Sequence, residues 1–410
     1  MKYTTIKKCR CCNSNNLKKV INFGKMYLST EFLKTYKNSE KIPMQLVFCK
    51  ECHLIQLKHN YNSKRLYNNN YGYRSGINQS MKNHLHSIVT DLRKKISLRF
   101  KDVILDIASN DGTLLNFYND KKFNLIGIDP TSSKFKKYYK SNIKTSNKIF
   151  SKNKFFNLSK NNKAKIITSI AVFYDIKNPK LFVKEISEIL EKNGIWVLEQ
   201  SYFAFLYKNN AYDSICHEHL TYFTYKQLKI LLDIFSLKII DVKFNKMNGG
   251  SVRFFIANKS SYFLVNENNL NKLKFLEREF YTNFEKKIEK FKTNYDKSTN
   301  KLYAFIKRLH KKKKKIHLYG ASTKGNIILQ CSSINNKYIE YASERNRQKV
   351  GKITPGSNIK IIDERTSRKM KPDYYFVMPW HFRKEIIKRE HSFLKRGGKL
   401  IFPLPKINIH

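Results

Sequence analysis

The chain contains 410 residues, of which 81 are Lys or Arg and 31 are Asp or Glu, so its formal net charge is +50 at pH 7. A hydrophobic fraction of 41% is enough to build packed cores and excludes a globally disordered chain. No apolar run approaches the roughly 18 residues of a membrane helix, and residues 1–10 lack the apolar stretch of a secretory signal, so we expect a cytoplasmic protein with no membrane partner.

The cysteines are concentrated near the N-terminus, where five of the seven lie within the first 52 residues. Cys9 and Cys12 form one C-x2-C pair, and Cys49 and Cys52 form a second. A tight turn lets both thiolates of such a pair reach one ion, and two pairs supply the four ligands of a closed tetrahedral zinc site. We predict a structural zinc ion, with Cys11 pointing away from it.

A helical pattern at residues 80–99 is followed by a series of apolar runs. Continuous β-branched runs bounded by turns are typical of buried parallel strands. Four such runs lie at 103–107, 125–128, 166–170 and 195–199, and two antiparallel-looking runs lie at 239–242 and 252–256. The order of these runs predicts an α/β fold with a doubly wound sheet.

The last third of the chain has two parts. Residues 261–315 are helical in pattern and heavily charged, which predicts a solvated amphipathic connector. A second, shorter α/β unit opens at 316–320 and includes strands at 373–378 and 399–402. We therefore expect a zinc-binding domain, a central α/β domain, a helical connector and a C-terminal Rossmann-like domain, at 1–75, 76–260, 261–315 and 316–410.

The segment VILDIASNDGTLL at 103–115 is a strand, a polar turn and the start of a helix. This arrangement lets a nucleotide-like ligand approach the backbone at the carboxyl end of a strand. Ala108 and Asn110 stand where a dinucleotide fingerprint has glycines, and Gly112 remains. Asp129 ends the next strand and can accept both hydroxyls of a ribose. The spacing of Asp106 and Asp129 suits a class I S-adenosylmethionine (SAM) methyltransferase, with the turn holding the amino-acid part of SAM.

A cluster of titratable residues, Cys216, His217, Glu218 and His219, follows the fourth strand closely. In a parallel sheet this placement puts the cluster beside the cofactor. A histidine there can act as a general base, oriented by a neighbouring carboxylate. There are two alternatives to a general base. One is a metal site, and the other is a capped helix start with solvated histidines.

Four sets of motifs, in this order, resemble the SAM-dependent sugar C-methyltransferases, which methylate nucleotide-linked keto-deoxysugars. They are the two cysteine segments, the SNDGTLL and GIDPT segments, the YDSICHEHLTYF and NGGSVRFF segments, and the C-terminal GASTKGN, YASERNRQKVGKITPG, KPDYYFVMPWHF and GGKLIFPLPK segments. The resemblance covers nearly the whole chain. It implies a zinc domain, a methyltransferase domain and a C-terminal Rossmann-like domain, with the sugar nucleotide between them.

The resemblance also assigns roles to residues. His219, after Glu218, matches the family's base, whereas Cys216, flanked by His217, replaces a tyrosine and marks a variant branch. Tyr71 or Tyr73 matches a tyrosine of the family's N-terminal loop, with Tyr73 assigned to catalysis and Tyr71 to the substrate. From the residues themselves, the turn 320–325 opens a helix after a strand, and its amides and Lys324 could bind a diphosphate; a tight turn with a surface lysine is the alternative. Arg253 and His381 are the other residues assigned to the substrate.

The leading hypothesis is removal of a proton next to the ketone by His219, followed by attack of the enolate on the methyl group of SAM. O- or N-methylation of another sugar or small metabolite is one alternative. A basic nucleic-acid methyltransferase or binder is another, since the net charge is typical of such proteins. The lysines are spread along the whole chain, which favours a compositional origin of the charge. We expect a monomer or a weak dimer.

Overall fold

The computed structural model describes residues 3–36, 39–67, 71, 73–118 and 122–410. At the N-terminus, a two-stranded sheet pairs β1 (Tyr3–Thr5) with β5 (His59–Tyr61). A four-stranded antiparallel sheet contains β2 (Leu17–Met26), β3 (Ile42–Cys49) and β4 (Ile55–Leu57), with the helix α1 (Ser63–Leu66) beyond it. Its fourth strand, β11 (Thr221–Tyr222), pairs with β4 and comes from the cluster of titratable residues.

The central sheet has seven strands, and all six runs predicted from the sequence belong to it. The middle strand β6 (Val103–Ile107) is fully buried, as expected of a continuous apolar run. The spatial order is β12 (Leu237–Asn245), β13 (Ser251–Asn258), β10 (Leu190–Ser201), β9 (Ala164–Ile170), β6, β7 (Asn124–Ile128) and β8 (Ile143–Ser146). Strand β13 pairs antiparallel with both β12 and β10, and the remaining pairs of the sheet are parallel. This order confirms the doubly wound methyltransferase fold, with β8 as a strand that the sequence analysis did not predict.

Helices flank the central sheet on both faces and connect its strands. Asn178 caps α4 by accepting a hydrogen bond from the amide of Leu181. Pro179 begins the helix, where its missing N–H costs nothing because the first amide of a helix has no partner within the helix. Thr224 and Gln227 form a capping box on α6. The helices are α2 (Gln79–Lys95), α3 (Lys152–Ser159), α4 (Pro179–Ile189), α5 (Phe203–Lys208) and α6 (Tyr225–Ile234).

The predicted connector consists of two helices, α7 (Glu267–Tyr281) and α8 (Phe284–Lys311). The expectation that it is solvated is wrong for one face of each helix. Leu270, Leu273 and Phe280 of α7 are buried, and α7 contacts β12. The buried side chains of α8 include Phe284, whose ring packs edge-on against Phe48 of β3. Since α8 contacts the N-terminal sheet, the connector ties the first and last parts of the chain together.

The C-terminal unit has the expected Rossmann-like sheet. Its five parallel strands are β16 (Lys360–Asp363), β15 (Tyr341–Glu344), β14 (Ile316–Tyr319), β17 (Tyr374–Val377) and β18 (Lys399–Phe402), with β19 (Asn408–Ile409) antiparallel at the edge. Its helices are α9 (Thr323–Cys331), α10 (Glu364–Lys369), α11 (Arg383–Arg389) and α12 (His391–Lys395). Among the described residues, no helix is both long and apolar enough to span a bilayer.

Candidate active site

The four predicted zinc ligands converge on one point. The Sγ atoms of Cys9, Cys12, Cys49 and Cys52 all lie within 4.8 Å of one another. The Cys9–Cys52 and Cys12–Cys49 sulfur distances are 3.6 Å and 3.5 Å, near the ~3.8 Å edge of a tetrahedron with Zn–S bonds of about 2.3 Å. The site therefore fits a closed structural zinc ion. Cys11 is outside this set, and its Sγ lies 3.7 Å from the carbonyl oxygen of Gln227.

The zinc domain is also attached to the segment that carries the titratable cluster. The amide of Leu57 donates to the carbonyl of Leu220, and the guanidinium of Arg10 donates to the Leu57 carbonyl at 2.7 Å. The Gln227 amide donates to the carbonyl of the zinc ligand Cys52 at 2.7 Å. Consequently the zinc site supports the loop around residues 216–222 directly, and the domain predicted at 1–75 is completed by a strand from outside that range.

One cavity of about 610 Å³ extends across the carboxyl ends of both parallel sheets. The ends of β6 and β7 form one part of its wall, and the ends of β14 and β15 form another. The predicted residues that line it are Tyr71, Tyr73, Asp106, Ala108, Asn110, Asp129, Cys216, Glu218, His219, Lys324 and His381. Ligand sites of open α/β sheets occur at these edges, so two such sites share one space here.

The turn after β6 has a backbone conformation typical of glycine, although alanine and asparagine occupy two of its three left-handed positions. Ala108, Asn110 and Gly112 have φ values of 61°, 50° and 74°, in the left-handed region where glycine is usually found. A Cβ at Gly112 would lie 2.6 Å from the Tyr139 ring, so only glycine fits there. Gly112 itself is behind the cavity wall, where it shapes the turn that Ala108 and Asn110 present to the cavity.

Two buried carboxyl groups end the strands beside this turn. Asp106 accepts a hydrogen bond from Thr168 at 2.6 Å, and burial raises the pKa of Asp106 to about 7. Asp129 accepts from the amide of Asn110 at 3.0 Å and from the amide and hydroxyl of Thr131 at 2.5 Å each. The hydrogen bond from Asn110 fixes the turn against the end of β7. Two carboxyl groups at one strand edge offer acceptors of the kind that the ammonium and ribose hydroxyl groups of SAM require.

An ion network that sequence analysis missed lies beside the cofactor turn. His84 Nε2 lies 2.5 Å from Glu199, which also accepts from Arg253 at 2.7 Å. Although burial favours the neutral acid, the His84 hydrogen bond and the charges of His84 and Arg253 hold the pKa of Glu199 below its ordinary value. His84 and Glu199 line the cavity. Their signal in the sequence was one of the two histidines of α2 and an acid near the end of β10.

The assignment of Arg253 to the substrate is not supported by its position. Its side chain is 2% exposed and it is absent from the cavity lining. The guanidinium pairs with Glu199 and, at 2.6 Å, with Asp91 of α2. Nε of Arg253 donates to Glu199 and an Nη donates to Asp91, so Arg253 orients Glu199, and Glu199 rather than Arg253 lines the cavity.

The imidazole of His219 contacts the backbone carbonyl of Ser214 and not the side chain of the adjacent Glu218. Its Nδ1 lies 2.7 Å from the Ser214 carbonyl, and its ring packs 4.1 Å from that of Tyr174. Burial, with the positive charge of Lys324, lowers the pKa of His219 to about 3. The prediction that Glu218 orients this imidazole is therefore wrong, since Ser214 occupies the orienting atom.

His217 points the opposite way from His219. It is fully buried, is absent from the cavity lining, and packs edge-on against Tyr61 at 4.9 Å. Burial lowers the pKa of His217 to about 4. The structure therefore gives His217 a core position and no access to the cavity.

Glu218 and Cys216 line the cavity together with Asp175, an acid that the sequence analysis did not single out. Burial raises the pKa of Glu218, of the Cys216 thiol and of Asp175. The Tyr67 hydroxyl donates to Asp175 at 2.8 Å. The position of Asp175 just after β9 was the available signal, because side chains there face the ligand edge of a parallel sheet.

The predicted tyrosine loop at 67–76 is only partly within the described residues, since 68–70 and 72 lie outside them. Tyr71 lines the cavity and forms an isolated backbone bridge with Glu31. Tyr73 also lines the cavity, and its carbonyl accepts from the Asn110 side chain at 3.4 Å. Tyr73 therefore lies at the cofactor turn.

The C-terminal sheet repeats the arrangement of the cofactor turn. Glu344 ends β15 and accepts the amide of Ala321, which follows β14, at 2.9 Å. This matches Asp129 at the end of β7, which accepts the amide of Asn110 after β6. Glu344 in the ASER segment therefore stands where Asp129 stands in the GIDP segment. The sequence analysis did not use this similarity as a signal for a second site.

Basic side chains lie around this second site. Lys349 donates to the Ala321 carbonyl at 2.7 Å, and Lys324 donates at 3.0 Å both to Ser214 and to the carbonyl of Asn248. Burial lowers the pKa of Lys324, opposed by the charges of Asp213 and Cys216. Lys324 is thus a half-buried cavity residue and not a surface lysine. His381 lines the same cavity, and burial, with the charge of Lys324, lowers its pKa to about 3.

Three family models match the chain in series. Residues 9–67 match "Putative zinc binding domain", residues 81–242 match "Methyltransferase domain", and residues 246–405 match "C-methyltransferase C-terminal domain". These matches confirm a SAM-dependent methyltransferase with a zinc-binding domain. The domain limits given from the sequence remain predictions.

Among curated proteins, the chain is similar to the C-methyltransferase NovU of Streptomyces niveus, with 26% identity over 405 residues, covering 98% of this chain and 96% of NovU. Among solved structures it is similar to a SAM-dependent methyltransferase of Clostridium acetobutylicum, with 15% identity, 43% and 92% coverage of the two chains and a TM-score of 0.33. It is also similar to the CurJ carbon methyltransferase, with 12% identity, 44% and 54% coverage and a TM-score of 0.32. These two scores are too low to carry an argument.

Proposed function

Because this chain is a SAM-dependent methyltransferase that carries the C-terminal domain of the C-methyltransferases, we propose that it methylates a carbon beside the ketone of a nucleotide-linked keto-deoxysugar. The observation that carries the proposal is the single cavity shared by two nucleotide-type edges, with His219 among its lining residues. One edge suits SAM and the other suits the nucleotide of the acceptor. When bound, SAM supplies the electrophilic methyl group.

The cofactor part of the proposal assigns Asp106, Asp129 and the turn around Ala108 and Asn110 to SAM. Asp129 Oδ1 accepts twice from Thr131, whereas Oδ2 accepts only from the Asn110 amide and keeps a lone-pair site for a ribose hydroxyl. Asp106, at the end of the central strand, suits the ammonium group.

The acceptor part of the proposal assigns the nucleotide to the C-terminal sheet. Glu344 is placed like Asp129, and helix α9 begins beside it with Ser322 as its capping residue, accepting from Gly325. Lys324 and Arg345 line the same part of the cavity and offer positive charge to a diphosphate. Tyr71 and His381 remain proposed substrate contacts, because both line the cavity between the two edges.

The chemical part of the proposal assigns the base to His219. Its Nδ1 is held by a carbonyl, which can only accept, so Nδ1 carries the hydrogen and Nε2 keeps a free lone pair. The lowered pKa keeps this lone pair free at neutral pH. His219 can therefore take the proton from the carbon beside the ketone.

The test is methylation of dTDP-4-keto-6-deoxyglucose, and of its UDP- and GDP-linked counterparts, with SAM labelled by ¹³C in the methyl group. NMR should place the label on carbon. A label on oxygen or nitrogen would overturn the C-methylation, and activity confined to RNA would overturn the acceptor class. The variant His219→Asn should lose about 10²–10⁴-fold in rate, whereas His86→Asn, an exposed histidine of α2, should not.

The nucleotide assignment has its own test. Glu344→Gln should weaken the binding of dTDP, measured by calorimetry, by about 10- to 100-fold, as expected from a lost charged hydrogen bond of about 1.5–3 kcal/mol. SAM binding should be unchanged, because Asp129 holds the other edge. Equal dTDP affinity in the variant would contradict the assignment.

A further inference from the structure

The side-chain amide of Gln200, at the carboxyl end of β10, is buried in the cavity wall without a hydrogen bond. Among the described residues neither its Nε2 nor its Oε1 has a partner, and the residue is 2% exposed. Gln200 lines the same cavity as His219. An amide offers two donors and an acceptor, and leaving such groups unpaired in the interior is costly. A ligand in the cavity can supply the missing partners.

A second buried glutamine shows an amide that the fold itself uses. Gln227 Nε2 donates to the carbonyl of Cys52 at 2.7 Å and to the hydroxyl of Tyr281 at 2.8 Å. Its Oε1 accepts from the amide of Thr224 at 2.9 Å. Both ends of the Gln227 amide are therefore paired within the chain, whereas both ends of the Gln200 amide remain available.

Strand geometry places Gln200 on the face of the central sheet that meets the segment after the titratable cluster. Successive side chains of a strand point to opposite faces. The carboxylate of Glu199 contacts α2, so Gln200 points to the other face. Trp196 is on that face, and its ring lies 6.2 Å from the ring of Phe173, which lies 4.9 Å from that of Phe223.

The segment after β9 connects the end of β10 to the proposed base. The backbone carbonyl of Glu199 accepts from the amide of Ala171 at 2.7 Å. Tyr174, three residues later in the chain, packs its ring 4.1 Å from that of His219. Gln200 and His219 therefore flank one segment of the cavity wall, on the acceptor side of the cofactor turn.

We propose that Gln200 binds the acceptor through two hydrogen bonds. Its Nε2 donates to the ketone oxygen, and its Oε1 accepts from a hydroxyl on the carbon next to the ketone. An amide presents a donor beside an acceptor, and an α-hydroxy ketone presents the complementary pair. The inference rests on the proposed C-methylation and deepens it, because it names the contact that holds the ketone and the class of ketosugar that fits.

The hydrogen bond to the ketone oxygen strengthens as negative charge develops there. The C–H bond beside the ketone breaks, its proton passes to His219 Nε2, and its electron pair forms the enolate. Gln200 donates a hydrogen bond to the enolate oxygen and transfers no proton. The electron pair then forms the bond to the methyl carbon of SAM as the bond from that carbon to sulfur breaks, and His219 releases its proton to solvent.

Thermal unfolding of the full-length protein without ligands tests whether the amide is unpaired. Gln200→Met removes both polar atoms at similar volume, so the unfolding midpoint should not fall, because no hydrogen bond is lost. Gln227→Met is the matched variant and should lower the midpoint, since it loses the bonds to Thr224, Cys52 and Tyr281. A lower midpoint for Gln200→Met would give its amide a structural role and overturn the proposal.

Solvent exchange tests the contact with the ketone. NMR in D₂O should show deuterium entering dTDP-4-keto-6-deoxyglucose beside the ketone in the absence of SAM. Gln200→Met should slow this exchange by about 10²–10³-fold, as expected when one donor to a developing oxyanion is removed. The affinities for SAM and dTDP, measured by calorimetry, should be unchanged. Equal exchange rates in the variant and the wild type would exclude the contact.

A change of substrate tests the contact with the hydroxyl. dTDP-4-keto-3,6-dideoxyglucose lacks the hydroxyl next to the ketone, so it leaves the amide oxygen of Gln200 unpaired. The wild type should prefer the hydroxylated sugar by about 10- to 100-fold in kcat/KM. Gln200→Met should lose most of this preference. The same preference in the variant and the wild type would refute the hydroxyl contact.

The outcomes separate this proposal from the proposed function. Normal exchange and carbon methylation by Gln200→Met would overturn the role of Gln200 and leave the C-methylation in place. If the wild type neither exchanges nor methylates any nucleotide-linked ketosugar, the proposed function is overturned, whereas the unfolding midpoints still show whether the amide is unpaired. A loss of SAM affinity in Gln200→Met would place the amide at the cofactor and overturn the acceptor contact.

Discussion

Nδ1 of His219 lies 2.7 Å from the backbone carbonyl oxygen of Ser214, and this contact sets the tautomer of the proposed base. A carbonyl cannot donate, so the proton is on Nδ1 and Nε2 is free. Glu218 therefore does not orient the His219 imidazole, although its position next to His219 in the sequence suggested that it would.

We predict that the rate of the methyl transfer does not fall between pH 7 and pH 5.5. A base acts in its deprotonated form, and burial, with the charge of Lys324, lowers the pKa of His219 to about 3. The rate should therefore begin to fall only as the pH approaches that value. The measurement is kcat/KM against pH at constant ionic strength. A tenfold fall per pH unit below 6.5 would contradict the buried, neutral imidazole.

Removal of one zinc ligand should abolish metal binding and lower activity, because the zinc domain pairs β4 with β11 next to His219. We predict this for Cys49→Ser, measured as zinc content by atomic absorption and as methyl transfer. Cys11→Ala is the matched control, since its thiol is outside the four-sulfur set. Equal zinc content in Cys49→Ser and the wild type would refute the ligand assignment.

Gly112→Ala should destabilise the protein more than Gly24→Ala. Both glycines have positive φ, 74° and 76°, so both variants incur the left-handed backbone cost of about 1–2 kcal/mol. Only at Gly112 does the new Cβ meet an atom, 2.6 Å away on Tyr139, whereas nothing lies within 4 Å at Gly24. Urea denaturation should show an additional loss at Gly112 of about 1–3 kcal/mol. Equal losses would mean that the Tyr139 ring moves aside freely.

Asp129→Asn should weaken SAM binding by about 10- to 100-fold, because it loses the charge of a carboxylate that fixes the Asn110 turn and that we propose binds the ribose of SAM. Calorimetry with SAM provides the measurement. Asp233→Asn, which removes a half-exposed carboxylate paired with Lys229 and Lys259, serves as the control. Retention of wild-type affinity by Asp129→Asn would remove Asp129 from the SAM site.

The sequence by itself determined the features that depend on local chemistry. Two C-x2-C pairs specify four thiolates for one ion, apolar runs specify the buried strands, and an acid after β7 marks the cofactor edge, since each signal lies within a few residues of chain.

Tertiary structure decided the features that depend on contacts between distant segments. It brings β11 beside β4, places His217 in the core and pairs Arg253 with Glu199. It also aligns Glu344 with Ala321 as it aligns Asp129 with Asn110. The direction and partner of a side chain depend on which strands become neighbours, and burial then changes its protonation, so neither follows from local sequence.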